Sequence, residues 1–532
     1  MKVHLAQLNT IVGDLTFNKK LILKEAEIAV ANGANLLLTP ELSITGYPPE
    51  DLLLDQEFIK ECDRSLMEIA EKFPGIMVAI GHPMLVENKL YNAVSILFNS
   101  KILSTYRKKI LPNYGVFDEK RYFSEGNKNT IIDYQGKKIG FLICEDIWVK
   151  EPTASLIKEG VEIILCINAS PFELKKQQKR IDQVKKMISG NNLTLVYLNA
   201  LGGQDNVVFD GGSFVYDGIK GLTTELPQFE SISETIDLNS KKVSVCSTYN
   251  DMEIILKGLI LALHDYLEKN NMQRVFLGLS GGIDSALVLY IATKAIAKNN
   301  IHAIMMPSKY TSDISLEDAK KLAEDLEVDY KIYPINSLID NVNQVFSEEF
   351  KGLPSDITEE NFQARIRGLM LMGLANKHNG MVLATSNKSE LAVGYSTIYG
   401  DMVGGFCVLK DVPKTMVYKL AKHINRTKKI IPGRIITREP SAELKENQTD
   451  QDNLPSYEVL DEIIRLYIEE TKSSAFIINT GFDSQIVEKV VKLINGSEFK
   501  RRQSAPGPKI TSKAFSVDRR FPITNKYKTK LQ

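Results

Sequence analysis

Short apolar runs alternate with amphipathic segments along the chain as far as Asp217. Runs rich in Ile, Leu and Val predict buried strands at residues 3–8, 36–38, 76–80, 93–98, 139–143, 163–167 and 194–198. Between them, the spacing of apolar residues predicts helices at residues 17–31, 56–72 and 177–189. This alternation predicts an α/β layered domain.

A second domain follows a stretch in which the pattern weakens. Residues 218–251 are richer in Ser, Thr, Glu and Lys, which predicts a connector or an edge segment. After a helix at 252–267, the pattern predicts strands and helices at 275–279, 303–306, 316–326, 330–333, 361–377 and 380–384. Their alternation predicts a doubly wound parallel sheet, which binds its ligand at strand carboxyl ends. We therefore expect domains at residues 1–245 and 250–532.

The composition excludes several classes of protein. The chain has 532 residues, too many for one core, and its 43% hydrophobic content is typical of a soluble protein. Lys plus Arg and Asp plus Glu both number 66, so no net charge favours nucleic acid or an acidic membrane. The first residues turn polar too soon for a signal peptide, and no apolar stretch reaches the ~18 residues that span a bilayer. We expect a cytoplasmic protein.

The segment with the clearest chemistry is Ser280-Gly281-Gly282-Ile283-Asp284-Ser285, which lies between an apolar run and a helix-like stretch. A glycine loop at a helix N-terminus presents backbone N–H groups to phosphate, and Asp284 offers a carboxylate to a metal. The spacing differs from that of the ordinary phosphate loop and of dinucleotide-binding loops. It resembles Ser-Gly-Gly-x-Asp-Ser, the loop of ATP-pyrophosphatases, which split ATP into AMP and pyrophosphate.

Three residues of the first domain lie at or beyond strand ends: Glu41, Lys108 and Cys144. A thiol needs a base and a nearby positive charge to attack an amide. Glu41 would take the proton, and Lys108 would lower the thiol pKa and stabilise the oxyanion. The five cysteines are scattered, which argues against disulfides and zinc sites, and we interpret Cys166 and Cys246 as small buried hydrophobes.

This Glu-Lys-Cys set resembles that of the nitrilase, or carbon–nitrogen hydrolase, superfamily, over about the first 240 residues. Lys109 competes with Lys108, but the family pattern of Lys, two residues and Leu-Pro favours Lys108. The family has a second glutamate, and Glu119 matches it as an orienting group. A surface carboxylate is an equally weighted interpretation of Glu119.

Both halves together resemble the glutamine-dependent NAD synthetase family, almost from end to end. The matching blocks are residues 199–205, 208–214, 361–367, 385–390, 399–401 and 499–503. The resemblance implies a nitrilase-like αββα sandwich followed by an adenine nucleotide hydrolase-like parallel sheet. It also implies a homo-oligomer.

For the first domain, the resemblance implies that Cys144 attacks the side-chain amide of glutamine, with Glu41 as general base and Lys108 at the oxyanion. It implies that glutamine is held by Tyr114, Ser170 and Lys176. Ammonia leaves, and water hydrolyses the glutamyl thioester. Because free ammonia is largely protonated near neutral pH, we expect it to pass to the second domain along a shielded route.

For the second domain, the resemblance implies attack of deamido-NAD on ATP, and then of ammonia on the adenylate. It implies that ATP is bound by Gly278, Leu279, Ser280, Gly281, Gly282, Ile283, Asp284, Ser285 and Thr385. It implies that deamido-NAD is bound by Asn361, Arg365, Glu390 and Lys500, and phosphate by Lys414. Magnesium would be held by Asp284 and Glu390. The roles of Glu390 as metal ligand and dinucleotide contact both stay open, as does a phosphate role for Lys309.

Two alternative functions keep the same folds. In one, the enzyme aminates another carboxylate after adenylation, since the phosphate loop does not specify the acceptor. In the other, the second domain is a nucleotide-sensing module that regulates a nitrilase-type amidase and binds ATP without cleaving it.

Overall fold

In the computed structural model, the chain divides into two compact units, Met1–Ile254 and Ile255–Gln532. The structure describes residues 1–526 except 74, 241–242, 246–248 and 447. Cys246, which we interpreted as a small buried hydrophobe, lies outside the described residues. Within those residues, no helix has both the length and the apolar character needed to cross a membrane.

The first unit contains a six-stranded sheet, a seven-stranded sheet and a two-stranded ribbon. Its strands are β1 (Lys2–Ala6), β2 (Leu36–Leu38), β3 (Met77–Val86), β4 (Lys89–Phe98), β5 (Lys101–Arg107), β6 (Ile131–Tyr134), β7 (Lys137–Ile143), β8 (Ile163–Asn168), β9 (Thr194–Asn199), β10 (Leu201–Gln204), β11 (Val207–Asp210), β12 (Phe214–Asp217), β13 (Gly221–Glu225), β14 (Ser233–Asp237) and β15 (Ser244–Val245). Its helices are α1 (Leu15–Ala31), α2 (Gln56–Lys72), α3 (Lys150–Lys158) and α4 (Lys176–Ile188). The strand orders are β14-β1-β2-β3-β4-β5, β10-β11 and β15-β13-β12-β9-β8-β7-β6.

Two apolar layers explain this arrangement. One core joins the facing sides of the two large sheets, with Val3 and Leu36 from the first and Phe141 and Leu165 from the second. Another core packs the opposite side of the first sheet against α1 and α2. Strands β2 and β8 are buried along their whole length, as expected for strands covered on both faces. The predicted αββα sandwich is confirmed.

The second unit is built on a five-stranded parallel sheet of order β18-β17-β16-β19-β20. Its strands are β16 (Val275–Gly278), β17 (Ile301–Met305), β18 (Asp329–Ile332), β19 (Met381–Ala384) and β20 (Phe406–Cys407). The helices, of which α5 begins in the first unit, are α5 (Asp251–Lys269), α6 (Ile283–Ala295), α7 (Asp313–Leu326), α8 (Asn336–Val345), α9 (Ile357–Lys377), α10 (Lys388–Val393), α11 (Lys414–Thr427), α12 (Gly433–Thr437), α13 (Tyr457–Ile464), α14 (Ser474–Asn479), α15 (Ser484–Gly496) and α16 (Glu498–Arg501). The strand order reverses at β16, which opens a crevice at its carboxyl end. The predicted parallel sheet is confirmed.

The segment at residues 218–251 differs in part from the predicted connector. It contains β13 and β14, and β14 pairs antiparallel with β1 at the edge of the six-stranded sheet. The sequence of β14, Ser-Glu-Thr-Ile-Asp, has one apolar residue, so no alternation of apolar and polar residues marks it as a strand. The edge interpretation was therefore the better of the two that we offered.

His82 makes the stability of the first unit dependent on pH. Burial lowers its pKa to about 4, and its Nδ1 and Nε2 lie 2.9 Å from Pro83 O and 2.8 Å from Ser95 Oγ. As pH falls from 6.5 to 4, His82 takes up a proton in the unfolded chain before it does so in the folded protein. The free energy of unfolding therefore falls by about 3 kcal/mol over this range. In a His82→Gln variant, the free energy of unfolding should lack this contribution to its pH dependence. Urea unfolding followed at Trp148, the single tryptophan, measures the difference.

Candidate active sites

Glu41, Lys108 and Cys144 lie beyond the ends of strands β2, β5 and β7. The segment that carries Glu41 packs closely against β3, where a Cβ on Gly81 would meet the backbone of Pro40 and Leu42. Cys144 has φ 47°, a left-handed conformation that non-glycine residues seldom adopt. Strain of this kind persists where the surrounding structure holds a reactive group in a set position.

Glu41, Lys108 and Glu119 form one buried network of ion pairs, and all three act electrostatically on Cys144. Lys108 Nζ lies 2.7 Å from Glu41 Oε1 and 2.8 Å from Glu119 Oε1. Glu41 Oε1 also accepts a hydrogen bond from Asn92 Nδ2 at 2.7 Å, and Glu41 Oε2 accepts one from the backbone N–H of Ala169 at 2.9 Å. One ammonium group is therefore fixed between two carboxylates.

The electrostatics keep the nucleophile protonated at rest. Burial and the charge of Glu41 raise the pKa of the Cys144 thiol well above its usual value, and Lys108 opposes them. Burial alone would lower the pKa of Lys108, but the charges of Glu119 and Glu41 outweigh it and raise that pKa. The site therefore holds a thiol, a permanent cation and a carboxylate that can accept the thiol proton.

The structure gives Lys108 and Lys109 different surroundings, and it places Glu119 in the interior. Glu119 is buried and bonded to Lys108, so its interpretation as a surface carboxylate was wrong. Lys109 points elsewhere, with its Nζ 2.7 Å from Asn129 Oδ1. Tyr47, which we did not predict, donates a hydrogen bond to Glu119 Oε1 at 2.8 Å.

Tyr114 and Lys176 approach the segment that follows Cys144. Tyr114 is exposed and donates its hydroxyl to the Glu145 carboxylate at 3.0 Å. Lys176 Nζ lies 4.9 Å from the centre of the Trp148 ring, and its charge lowers the pKa of Glu145, although burial raises that pKa overall. A hydroxyl and an ammonium near residues 145–148, just after Cys144, suit a small zwitterionic ligand.

Ser170, the third residue predicted to hold glutamine, is buried and fixed by Arg180. Arg180 Nε donates to Ser170 Oγ at 3.1 Å and Nη2 donates to Ser170 O at 2.8 Å. The same guanidinium pairs with Asp210, with Nη2 2.8 Å from Oδ1, and both side chains are fully buried. Ser170 is therefore anchored through its backbone and its side chain.

Removing the Arg180 charge should destabilise the first unit. An Arg180→Met variant leaves the Asp210 carboxylate buried without its cation, which costs about 3–5 kcal/mol. Urea unfolding followed at Trp148 measures the loss. The matched control is Lys179→Met, since the exposed Lys179 pairs with Glu173 and should change stability by less than about 1 kcal/mol. Equal changes in both variants would contradict this role of the buried pair.

In the second unit, a cavity of about 610 Å³ opens at the carboxyl end of the parallel sheet. Every residue that we predicted to contact ATP, deamido-NAD, phosphate or magnesium lines it: Gly278, Leu279, Ser280, Gly281, Gly282, Ile283, Asp284, Ser285, Asn361, Arg365, Thr385, Glu390, Lys414 and Lys500. Lys309 is instead an exposed residue, with its Nζ 4.9 Å from the centre of the Tyr310 ring.

The loop at residues 278–285 is held by its own hydroxyls. The Oγ atoms of Ser280 and Ser285 lie 3.1 Å apart, and Ser280 Oγ accepts the backbone N–H of Gly282 at 3.2 Å. Gly281 has φ 79°, and a Cβ there would lie 2.6 Å from Ser315 O. Only glycine fits this position, and the loop then leads into the N-terminus of α6, a favourable place for phosphate.

A second charged cluster adjoins the loop. Lys414 Nζ lies 2.5 Å from Asp284 Oδ2 and 3.0 Å from Glu390 Oε1, and Asn387 Nδ2 donates to Asp284 Oδ1 at 2.9 Å. Burial, together with the charges of Asp284 and Asp450, raises the pKa of Glu390 to about 7 against the effect of Lys414. Three carboxylates around one ammonium leave an excess of negative charge, and carboxylate oxygens suit a hard divalent cation.

The remaining predicted contacts converge on residues 394–398. Asn361 Oδ1 accepts the Thr397 hydroxyl at 2.7 Å, and Arg365 Nε donates to Ile398 O at 3.3 Å. Lys500 Nζ donates to Gly394 O at 2.7 Å and to Ser396 O at 2.6 Å. Three of the four residues predicted to hold deamido-NAD therefore contact this one segment, and the fourth, Glu390, pairs with Lys414 instead.

Comparison with known proteins matches both halves of the chain. The carbon-nitrogen hydrolase family model matches residues 2–242, and the NAD synthase family model matches residues 255–504. The glutamine-dependent NAD(+) synthetase of Acinetobacter baylyi is 44% identical over 98% of each protein. The chain belongs to the glutamine-dependent NAD(+) synthetase family. The synthetase of Thermotoga maritima is 41% identical over the full length of both chains.

A solved structure of the same synthetase family covers both units. The glutamine-dependent NAD+ synthetase of Acinetobacter baumannii, in complex with adenosine diphosphate, has a TM-score of 0.80 and 42% identity over 99% of both chains. The synthetase family that we inferred from sequence motifs is thereby confirmed.

From the sequence, we did not predict several residues that contact the candidate sites of this synthetase chain. Tyr47, Asn92 and Arg180 contact predicted site residues, and Asp450 belongs to the acidic cluster. Asn92 lies within a strand and Arg180 within a helix. No spacing rule marks such positions, because their contacts depend on how separate elements pack.

Proposed function

We propose that the chain converts deamido-NAD, ATP, L-glutamine and water into NAD(+), AMP, pyrophosphate and L-glutamate. The main support is that one chain carries a buried Glu41–Lys108 pair that acts on Cys144 and also a phosphate-loop cavity. Each centre supplies one half of the reaction. The proposal also agrees with the names of the full-length relatives.

In the first unit, glutamine binding brings its side-chain amide to Cys144. Glu41 takes the thiol proton as sulfur attacks the amide carbon, and Lys108 stabilises the negative oxygen of the tetrahedral intermediate. Glu41 then returns the proton to the leaving nitrogen, which departs as ammonia. Water, activated by Glu41, hydrolyses the thioester to glutamate. Tyr114, Ser170 and Lys176 hold the α-amino and α-carboxylate ends of glutamine.

In the second unit, the backbone N–H groups of the loop and of the α6 N-terminus hold the phosphates of ATP. Asn361, Arg365 and Lys500 hold deamido-NAD so that its carboxylate attacks the α-phosphorus and pyrophosphate leaves. Ammonia then displaces AMP from the adenylate. Asp284 and Glu390 would hold magnesium, which neutralises phosphate charge when bound, and Lys414 would then be free to contact phosphate.

Product analysis tests the proposed reaction. Purified protein receives ATP, magnesium, deamido-NAD and glutamine, and a parallel sample lacks deamido-NAD. We expect AMP, pyrophosphate and NAD(+) in equal amounts, all lost on omission. Glutamate without AMP or NAD(+) would favour an amidase with a nucleotide-sensing domain, and AMP formation with another carboxylate would favour a different acceptor.

Assembly and location remain predictions. Sedimentation velocity of the full chain tests whether it forms a homo-oligomer, and cell fractionation tests the predicted cytoplasmic location. Neither result affects the assignment of residues within each unit.

A further inference from the structure

Two arginines that line the second cavity, Arg365 and Arg367, form no ion pair with any residue that the structure describes. The cationic residues that line the cavity are Arg365, Arg367, Lys414, Arg438 and Lys500. Lys414 pairs with Asp284 and Glu390, and Arg438 pairs with Glu443 at 2.6 Å. Lys500 is held by two carbonyl oxygens, and Arg365 is exposed to solvent.

Arg367 differs from Arg365 in its exposure, because Arg365 is exposed and Arg367 is partly buried. Its Nε donates to Met306 O at 2.9 Å, but across the part of the chain that the structure describes, its two Nη groups meet no carboxylate or other hydrogen-bond acceptor. Burial lowers its pKa to about 10, against the charge of Glu443, so it stays protonated at neutral pH. A cation that is partly shielded from water is unfavourable unless an anion compensates it, and Arg367 lines the cavity.

The position of Arg367 relates it to the phosphate loop. Leu371 lies one helical turn further along α9, on the same face. Leu371 Cδ1 and Met306 Cε both stand 3.6 Å from where a Cβ on Gly278 would lie. Arg367 therefore lies beside Met306, which follows β17, whereas Lys414 pairs with Asp284 and Glu390 in a separate cluster.

We propose that Arg367 binds the phosphate groups of ATP and of the pyrophosphate product. This inference rests on the proposed synthetase function and adds a residue to it. A guanidinium offers a planar fork that matches two phosphate oxygens, which an ammonium cannot do. The diphosphate of deamido-NAD presents the same chemistry, so the test must separate the two sources.

Calorimetric titration of the full chain provides that test, with inorganic pyrophosphate, ATP and deamido-NAD as separate probes. Arg367→Met should weaken pyrophosphate and ATP binding by about 10-fold to 100-fold and leave deamido-NAD within about 2-fold. Arg367→Lys, which keeps the charge without the fork, should fall between Arg367→Met and the wild type. The control is Arg426→Met, because Arg426 is exposed at the end of α11.

Equal pyrophosphate affinity in the wild type and Arg367→Met would overturn the inference and leave the proposed function standing. Weaker binding of deamido-NAD alone would overturn the inference, because Arg367 would then bind the diphosphate of the dinucleotide and not the phosphates of ATP. A similar loss for all three probes with no rescue by lysine would show a structural role instead. If the wild-type protein bound no ATP and formed no AMP with ammonium, the proposed function itself would fail.

Discussion

A Cys144→Ala variant is expected to lose glutamine-driven NAD(+) synthesis by about 1,000-fold or more and to keep synthesis driven by ammonium salts. The sulfur atom forms the thioester, and neither Glu41 nor Lys108 can replace it. The second unit receives the same nucleophile from added ammonium. NAD(+) formation is measured with each nitrogen source at saturating ATP and deamido-NAD.

Cys166→Ala is the matched control for that experiment. Cys166 is also buried, and burial raises its pKa to a value that leaves it a thiol, but it lies within β8 rather than at a strand end. It should keep both activities within a few-fold. Equal loss of the glutamine and ammonium reactions in Cys144→Ala would contradict the division of labour between the two units.

Asp284→Asn should abolish AMP formation with either nitrogen source, by about 100-fold to 1,000-fold, while basal glutamine hydrolysis continues. The substitution removes one of the two carboxylates proposed to hold magnesium, and it also breaks the pair with Lys414. AMP is measured at saturating ammonium over a range of magnesium concentrations. Higher magnesium should restore part of the activity if the metal affinity is what was lost.

The control for this variant is Asp313→Asn. Asp313 is an exposed carboxylate in the first turn of α7, so its replacement should leave AMP formation within about 2-fold. Unchanged AMP formation in Asp284→Asn would show that the carboxylate has no part in holding the metal, and the acidic cluster would then need another explanation.

The sequence predicted those site residues that stand where strands end. Glu41 and Lys108 follow β2 and β5 of the six-stranded sheet, and Cys144 follows β7 of the seven-stranded sheet. Functional side chains often lie beyond the carboxyl ends of strands. The sequence could not predict their hydrogen-bond partners. Asn92 lies within a strand, and only the pairing of strands brings it to Glu41.

Arg365 and Arg367 show the same limit within one motif. They are two residues apart, so helical geometry places them about 200° apart around the axis of α9. The motif matched the family at both positions, but only the packed structure distinguishes the exposed Arg365 from the partly buried Arg367. Residue order alone does not tell which side of α9 faces the sheet.

The protonated resting state of Cys144 also determines how the protein meets oxidants and alkylating reagents. Peroxides and haloacetamides react with thiolates far faster than with thiols. Because burial and the charge of Glu41 hold the sulfur as a thiol, the idle enzyme presents little reactive sulfur to them. We therefore expect these reagents to modify Cys144 mainly during turnover, when bound substrate competes for the same sulfur atom.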